Sequence, residues 1–152
     1  MKVLQKNGVV VVPLVAPKWF EDTDEKKFFW TSAMMDDENL VLSSRKKPVE
    51  FNGLESLKRL RTTVVIGHSV EAVTNLQKVG EVESQSTNSV SNGLKMVARG
   101  RIDFVITGRL VADYLIQDLK LGRDIYISDR SVDKFERKFL LSKDADKNLQ
   151  KW

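Results

Sequence analysis

The sequence predicts an α/β fold in which a mostly parallel sheet carries helices on both faces. Two observations support this prediction. Over about residues 54–128, short β-branched runs alternate with segments whose apolar residues recur at helical spacing, which is typical of parallel sheets. Glycine, serine and threonine lie at the junctions, where a strand turns into a helix. The 152 residues are enough to bury a core that needs no metal or disulfide.

The first strands are marked by β-branched and apolar runs. Residues 9–12 are four valines and predict a strand that ends at Pro13, because proline has no backbone N–H to donate. Residues 39–44 predict a second strand around their apolar centre, and residues 62–66 a third. Between these two strands, leucines at helical spacing predict a short basic helix: Leu54, Leu57 and Leu60.

The next segment alternates turns, helices and a short strand. A turn at residues 67–69 leads into a predicted helix, for which the Ser69 hydroxyl is a suitable N-cap. Residues 81–84 predict a short strand, and the polar residues 85–89 supply caps for a second helix. This helix ends before Gly100, because glycine readily adopts the left-handed conformation that closes a helix.

The last segment contains the clearest strand in the sequence, residues 102–106. Thr107 and Gly108 turn this strand into a helix over about residues 109–119, whose apolar residues share one face. Two further strands are predicted at residues 124–128 and 138–142.

Ligands of such sheets bind at the carboxyl ends of the strands, where the next helix begins. Two turns qualify, residues 67–69 and residues 107–109. The first contains the only histidine, His68, beside Ser69, but adjacent residues after a strand point in different directions. Catalysis by a Ser-His pair needs the two side chains to face each other. A ligand contact or a structural role is therefore favoured for His68 over an enzymatic one.

Composition and motifs exclude several classes of protein. The chain has no cysteine, which excludes thiol catalysis and cysteine-based zinc sites. There is no Gly-rich phosphate loop and no dinucleotide fingerprint, so we expect no cofactor. Three consecutive carboxylates, residues 36–38, cannot all converge on one ion and are interpreted as a solvated loop; we expect no metal site.

Charge and aromatic content argue against a nucleic-acid partner. Lys+Arg exceed Asp+Glu by 25 to 21, giving a formal net charge of only +4. Residues 18–30 mix aromatic residues with lysines, as single-strand-binding surfaces do, but the acidic residues among them would repel phosphate. Trp19 and Trp30 in this segment are predicted to serve either as core or as aromatic walls of a small-molecule cleft.

The sequence contains no run close to the ~20 apolar residues that a membrane-spanning helix requires. Its first residues lack the long apolar region of a signal peptide. Either the protein is cytoplasmic or its true N-terminus is missing, and the abrupt end at Trp152 suggests a fragment of a longer protein.

Taken in order, four stretches resemble family 3 extracellular solute-binding proteins, the periplasmic receptors of amino-acid-type ABC transporters. The first has basic residues followed by an aromatic and a hydroxyl residue, the second resembles a strand that crosses between lobes, and the third a short helix, strand and Gly-Ser turn. The last is the most specific and resembles the family's "GrvDavi" strand with its "va.yl" helix. The stretches are KKFFWTSAM at 26–34, LVLSSR at 40–45, LESLKRLRTTVVIGHS at 54–69, and GRIDFVI at 100–106 with VADYL at 111–115.

The resemblance implies a type 2 periplasmic-binding-protein fold, in which two α/β lobes joined by two crossing strands close on a ligand. Residues 1–44 would hold a remnant of lobe one and a crossing strand, residues 45–137 would form lobe two, and residues 138–152 the return strand and the start of a lobe-one helix. The two-lobe architecture would then be incomplete, with most of lobe one missing.

The resemblance also implies a function. It predicts a periplasmic solute-binding component of an ABC-type uptake system for a small polar, amino-acid-like solute, with a transporter permease as partner and no catalysis. The alternative is a ligand-sensing domain of the same fold in a signalling or regulatory protein. Only one wall of the cleft is expected in this chain, so we expect poor binding by the chain alone and self-association through exposed lobe surface.

Carrying the family's binding residues onto this sequence gives an unusual site. Ser69 matches the hydroxyl residue that helps to bind the ligand, with His68 in place of the usual glycine. Gly108 stands where the family has the carboxylate that pairs with the ligand's ammonium, and Asp24 where it has the arginine for the ligand's carboxylate. The predicted ligand-binding residues are His68, Ser69, Thr107, Gly108, Arg109 and Trp30.

An ordinary zwitterionic amino acid is therefore disfavoured as the ligand, because a buried charge without a counter-charge is costly. Three explanations stay open: a different small solute, a receptor that has lost binding, or an alignment displaced by a few residues. In the last case, Arg109 could supply one of the missing charges.

Overall fold

The computed structural model describes residues 10–66 and 70–143, which form two compact units. The terminal unit comprises residues 10–37 and 134–143, and the central unit comprises Glu38–Asp133. Two strands pass from one unit to the other, β3 (Met35–Ser44) and β7 (Ile125–Leu141). None of the helices in the described ranges is long and apolar enough to cross a lipid bilayer.

In the terminal unit, two short strands flank the end of β7. These are β1 (Val11–Val15) and β2 (Phe29–Trp30), and both pair with it antiparallel. The prediction that the first strand ends at Pro13 is wrong, because β1 continues to Val15. Its register shifts between Val12 and Val15, so the proline falls in an irregular part of an edge strand, where a missing N–H is tolerated.

The central unit contains a mixed sheet in the order β7-β3-β6-β4-β5. β4 (Arg61–Val65) pairs parallel with β5 (Glu83–Thr87) and with β6 (Phe104–Gly108), whereas β3 pairs antiparallel with β6. Three helices follow the parallel strands: α1 (Glu71–Lys78), α2 (Val90–Ala98) and α3 (Arg109–Asp118). The α/β fold is confirmed, and its predicted parallel character holds for β4, β5 and β6 only.

Both faces of this sheet are covered, because neighbouring residues of a strand point to opposite faces. One core contains residues from α2 and α3, and the other contains residues from α1. The first comprises Leu40, Leu42, Leu94, Val97, Ile102, Val105, Ala112 and Ile125. The second comprises Val41, Val49, Phe51, Leu57, Val73, Leu76, Val82 and Phe104.

Two sequence predictions fail where β3 and β7 run side by side. The two strands predicted at residues 124–128 and 138–142 are one 17-residue strand, β7. The acidic residues 36–38 belong to β3 and do not form a solvated loop. Asp37 is buried there, because Arg137 of β7 donates to its carboxylate from Nε at 2.7 Å and from Nη2 at 2.6 Å.

The helices differ slightly from the predictions. The short helix predicted through Leu60 before β4 is a single 3₁₀ turn, Leu54–Leu57. α1 begins at Glu71 with Val70 at its N-cap. The predicted cap, Ser69, lies outside the described residues. The predicted closure at Gly100 is confirmed, because this glycine follows α2 with a φ of 68°.

Candidate ligand-binding site

The three helices of the central unit all begin at one edge of the sheet. Parallel strands end at the same edge, and the edge where β4, β5 and β6 end is called here the carboxyl edge. Open α/β sheets bind ligands at such an edge, because backbone N–H groups and turn side chains converge there. Residues 67–69, which follow β4 in the sequence, lie outside the described residues, so the roles of His68 and Ser69 stay predictions.

One described segment of the carboxyl edge follows β5, and the sequence does not predict it as a binding segment. Ser89 is the N-cap of α2, and its Oγ accepts a hydrogen bond of 3.2 Å from the Asn92 N–H. The carbonyl of Thr87 accepts a bond of 2.9 Å from the Ile66 N–H, which ties the ends of β4 and β5 together. The sequence predicts only helix caps at Thr87-Asn88-Ser89, although a polar triplet after a strand is also a signal for a ligand turn.

Another described segment of the carboxyl edge follows β6 and contains three predicted site residues. Thr107 and Gly108 are buried at the end of the strand, where Gly108 pairs with Asn39 of β3. The backbone of Gly108 has φ −62° and ψ 146°, an extended conformation that any residue adopts. The absence of a carboxylate at this position is therefore not required by the backbone.

Arg109, the first residue of α3, brings a positive charge to the carboxyl edge. Its Nε donates to Oε1 of Glu38 at 2.7 Å, and its Nη2 lies 2.6 Å from the same oxygen. The Arg109 side chain is 45% exposed and that of Glu38 21% exposed, so the arginine faces solvent while the carboxylate is largely covered. Next to Glu38 on β3, the side-chain amide of Asn39 donates to Asp133 at 2.7 Å.

A small apolar crevice of about 20 Å³, room for one water-sized group, lies between the starts of α1 and α2 and the ends of the strands. None of its lining residues is ionisable. They are Thr63, Val64, Val65, Val70, Val73, Val90, Val105 and Ile106. The carboxyl edge thus presents hydroxyl groups, one ion pair and a small apolar surface, which are groups that a polar solute can contact. In the described ranges, no group of three or more His, Cys, Asp or Glu side chains could hold a metal ion.

Trp30 and Asp24 belong to the terminal unit. The Trp30 indole N–H donates to Oδ2 of Asp22 at 2.8 Å, and its ring packs edge-on against Phe20 with centroids 5.9 Å apart. These are the contacts of a packing residue, and the predicted role of Trp30 as a cleft wall stays a prediction. Asp24 is exposed and pairs with Lys26 at 3.0 Å.

Known proteins were compared with the chain at the levels of family, sequence and structure. No family model and no curated protein matches the sequence. Among solved structures, an ancestral arginine-binding protein bound to arginine superposes with a TM-score of 0.70 at 16% identity, over 92% of this chain and 61% of that one. The chain has the type 2 periplasmic-binding-protein fold.

Two further structures share this periplasmic-binding-protein fold. One comes from a study of glutathione import through GshT and the cystine ABC importer of Streptococcus mutans: TM-score 0.65, 20% identity, over 84% of this chain and 54% of that one. The other is a histidine kinase sensor domain similar to periplasmic binding proteins: TM-score 0.67, 16% identity, over 92% and 58%. The chain therefore spans 54–61% of the length of these three structures.

Proposed function

We propose that this chain binds a small polar solute at the carboxyl edge of its central unit, as part of a two-lobe receptor. The observation that carries the proposal is the convergence of three helix starts and their polar turns at one edge, within a fold shared with an arginine-binding protein. In this proposal, residues 45–137 are lobe two. Residues 1–44 are a remnant of lobe one with a crossing strand, and residues 138–152 are the return strand and the start of a lobe-one helix. Solute would stabilise a closed arrangement that a partner recognises.

The proposed setting is an ABC-type uptake system, with a transporter permease as the partner and the periplasm as the location. Support comes from the likeness to a protein studied in ABC-dependent import. We propose no catalysis by this chain, since the solved structures of this fold reported above are described by binding, import or sensing.

The alternative is a ligand-sensing domain, which the likeness to a histidine kinase sensor domain favours. The sequence flanking this chain in its gene distinguishes the two functions. A signal peptide upstream with no further domain downstream supports uptake. A membrane helix that leads to a signalling domain supports sensing.

Solute titrations followed by NMR of the isotope-labelled full chain test the proposal. With a panel of amino acids and related solutes, we expect weak binding, with dissociation constants of about 1 mM or above, because one wall of the cleft is incomplete. The amide shifts should cluster at Thr87–Asn92 and Thr107–Arg109. Shifts that cluster elsewhere would contradict the site, and a micromolar affinity by calorimetry would contradict the expected weakness.

Self-association is also proposed, through apolar side chains that the terminal unit leaves exposed. They are Val11, Leu14, Trp19, Phe29 and Met34. Exposed apolar groups in this number favour association. Light scattering at increasing protein concentration should show a mass above that of the monomer, and a strictly monomeric mass at high concentration would contradict the proposal.

A further inference from the structure

The ion pair between Arg109 and Glu38 has a geometry that a bound carboxylate would use. Nε and Nη2 of Arg109 both point at Oε1 of Glu38, at 2.7 and 2.6 Å. The Glu38 carboxylate therefore occupies the guanidinium edge through which arginine binds planar anions. We propose that Glu38 is an internal stand-in for a carboxylate of the solute, and that Arg109 binds the solute when the two carboxylates exchange.

The backbone register brings this pair together. Gly108 of β6 is paired with Asn39 of β3 at the end of their antiparallel ladder. Glu38 precedes Asn39 on β3, and Arg109 follows Gly108 as the first residue of α3, so their side chains start from neighbouring positions. Glu38 thus holds the guanidinium in place at the carboxyl edge when no solute is bound.

Exposure and charge make the exchange feasible. The Arg109 side chain is 45% exposed and that of Glu38 21% exposed, so solvent reaches the pair from the arginine side. Ion pairs that solvent reaches contribute little to stability, so replacing one carboxylate by another costs little. Arg109 is also the one cationic side chain on the described segments that form this edge, residues 38–39, 65–66, 70–71, 87–92 and 107–109. A solute anion that binds at these segments has this single counter-charge.

The inference rests on the proposed function and specifies the class of solute, one that carries a carboxylate. Three probes with the same branched carbon chain isolate this group: 3-methylbutanoate, 2-methylpropylamine and 2-methylpropanol. Because the apolar chain is the same in all three probes, any difference between them comes from the charged or polar group. The Nε–H signal of Arg109 in the labelled full chain reports on contact with each probe.

We expect 3-methylbutanoate to shift the Arg109 Nε–H signal at about 10–20 mM, and the amine and the alcohol to leave it in place. The two Arg109 variants lack the Nε–H and are followed through the backbone amide shifts of Thr107–Arg109. Arg109→Gln should abolish this binding, and Arg109→Lys should weaken it at least about threefold, because an ammonium lacks the planar fork. Glu38→Gln should tighten it about two- to fivefold, because the amide oxygen still accepts from Nε but no longer competes as an anion. Arg45→Gln is the matched control: this exposed arginine bonds the Gly122 carbonyl, and its loss should leave binding unchanged.

Each other outcome overturns the inference. If 3-methylbutanoate leaves Arg109 unshifted, or if Glu38→Gln weakens binding or leaves it unchanged, Glu38 is not a stand-in for a solute carboxylate. If the amine or the alcohol shifts amides of the carboxyl edge and the carboxylate does not, the proposed function stands while the role of Arg109 fails. The amide spectra show whether each variant is folded, and the Lys variant provides the test if the Gln variant is not.

Discussion

Asp22 shows how one buried carboxylate can organise a loop. Its side chain is 0% exposed and accepts bonds from the backbone N–H groups of Lys26 and Lys27 at 2.8 Å and of Phe28 at 3.1 Å. The Trp30 indole N–H adds a fourth bond at 2.8 Å. Burial alone would raise the pKa of Asp22, but these four bonds outweigh it and lower the pKa.

Replacing Asp22 by Asn should destabilise the protein by about 2–4 kcal/mol, because an amide places two donors among groups that are themselves donors. Urea unfolding followed by tryptophan fluorescence measures this loss. The control is Asp24→Asn, which removes an exposed carboxylate paired with Lys26 and should change stability by less than about 0.5 kcal/mol. Equal effects of the two substitutions would contradict the role assigned to Asp22.

Glu50 is a second carboxylate with a concentrated set of partners. It accepts bonds from the Tyr126 hydroxyl at 2.6 Å and the Ser128 hydroxyl at 2.8 Å, and from the backbone N–H groups of Asp129 and Arg130. The bonds from Tyr126 and Ser128 lower the pKa of Glu50 to about 2. The hydrogen bond between Tyr126 and Glu50, together with burial, raises the pKa of Tyr126 to about 12.

These two pKa values predict opposite pH effects on stability. The Glu50 contribution is present above pH 4.5 and should be lost as the pH falls from 4.5 towards about 2. The Tyr126 contribution is present below pH 10 and should be lost as the pH rises from 10 towards about 12. Urea midpoints measured across both pH ranges report these losses of stability. Glu50→Gln should reduce the pH dependence of the midpoint in both ranges.

Ultraviolet titration separates the Glu50 bond from general effects. The sequence has two tyrosines, so in Tyr114→Phe the signal comes from Tyr126 alone. Adding Glu50→Gln should bring its pKa down towards 10, whereas Glu55→Gln, at an exposed acid, should not. If Glu50→Gln leaves the pKa of Tyr126 unchanged, the hydrogen bond between the two side chains is contradicted.

At the scale of elements, Gly93 sets how closely α2 approaches the sheet. A Cβ at this buried position would lie 2.8 Å from Oγ1 of Thr63 and 3.0 Å from Cγ1 of Val105, both closer than ordinary contact. The helix therefore lies close against β4 and β6, and its start at Ser89 is held in place at the carboxyl edge.

Gly93→Ala should lower the free energy of unfolding by up to about 2 kcal/mol. Overpacking costs ~1–3 kcal/mol, and the higher helix propensity of alanine offsets ~1 kcal/mol of this. Thr63→Ala in the same chain removes the nearest atom and should recover part of the loss in a double-mutant cycle. Gly100→Ala is the contrasting control, because Gly100 has a φ of 68° and no atom lies within 4 Å of its Cβ position. Its loss of stability comes from backbone strain, so Thr63→Ala should not restore it. Additive effects of Gly93→Ala and Thr63→Ala would contradict the close approach.

The elements that could be predicted from the sequence are those whose signal is local. The β-branched run of β6, its Thr-Gly turn and the apolar face of α3 are all contained within neighbouring residues. β7 could not be recognised as one strand, because residues 129–137 are largely polar and become a strand only by pairing with distant residues. The burial of Asp37 likewise depends on Arg137, 100 residues later in the sequence.

For the whole molecule, the fold was predictable because the order of several weak motifs matched one architecture. The position of the carboxyl edge followed from that architecture, as did Thr107, Gly108 and Arg109 on it. The partner of Arg109 was not predictable, since Glu38 lies 71 residues away and is brought near by the register of β3 on β6. The Thr87–Ser89 segment was missed because capping residues and ligand-contacting residues are of the same types.

The central claim is that small solutes bind at the carboxyl edge, and blocking this edge tests it most directly. Asn88 is exposed in the turn between β5 and α2, so Asn88→Trp places a bulky ring there without entering the core, while Asn88→Ala leaves the edge open. With a solute that shifts the wild-type amides, we predict that Asn88→Ala keeps the shifts and Asn88→Trp loses them. Unchanged binding by a folded Asn88→Trp chain would contradict the account.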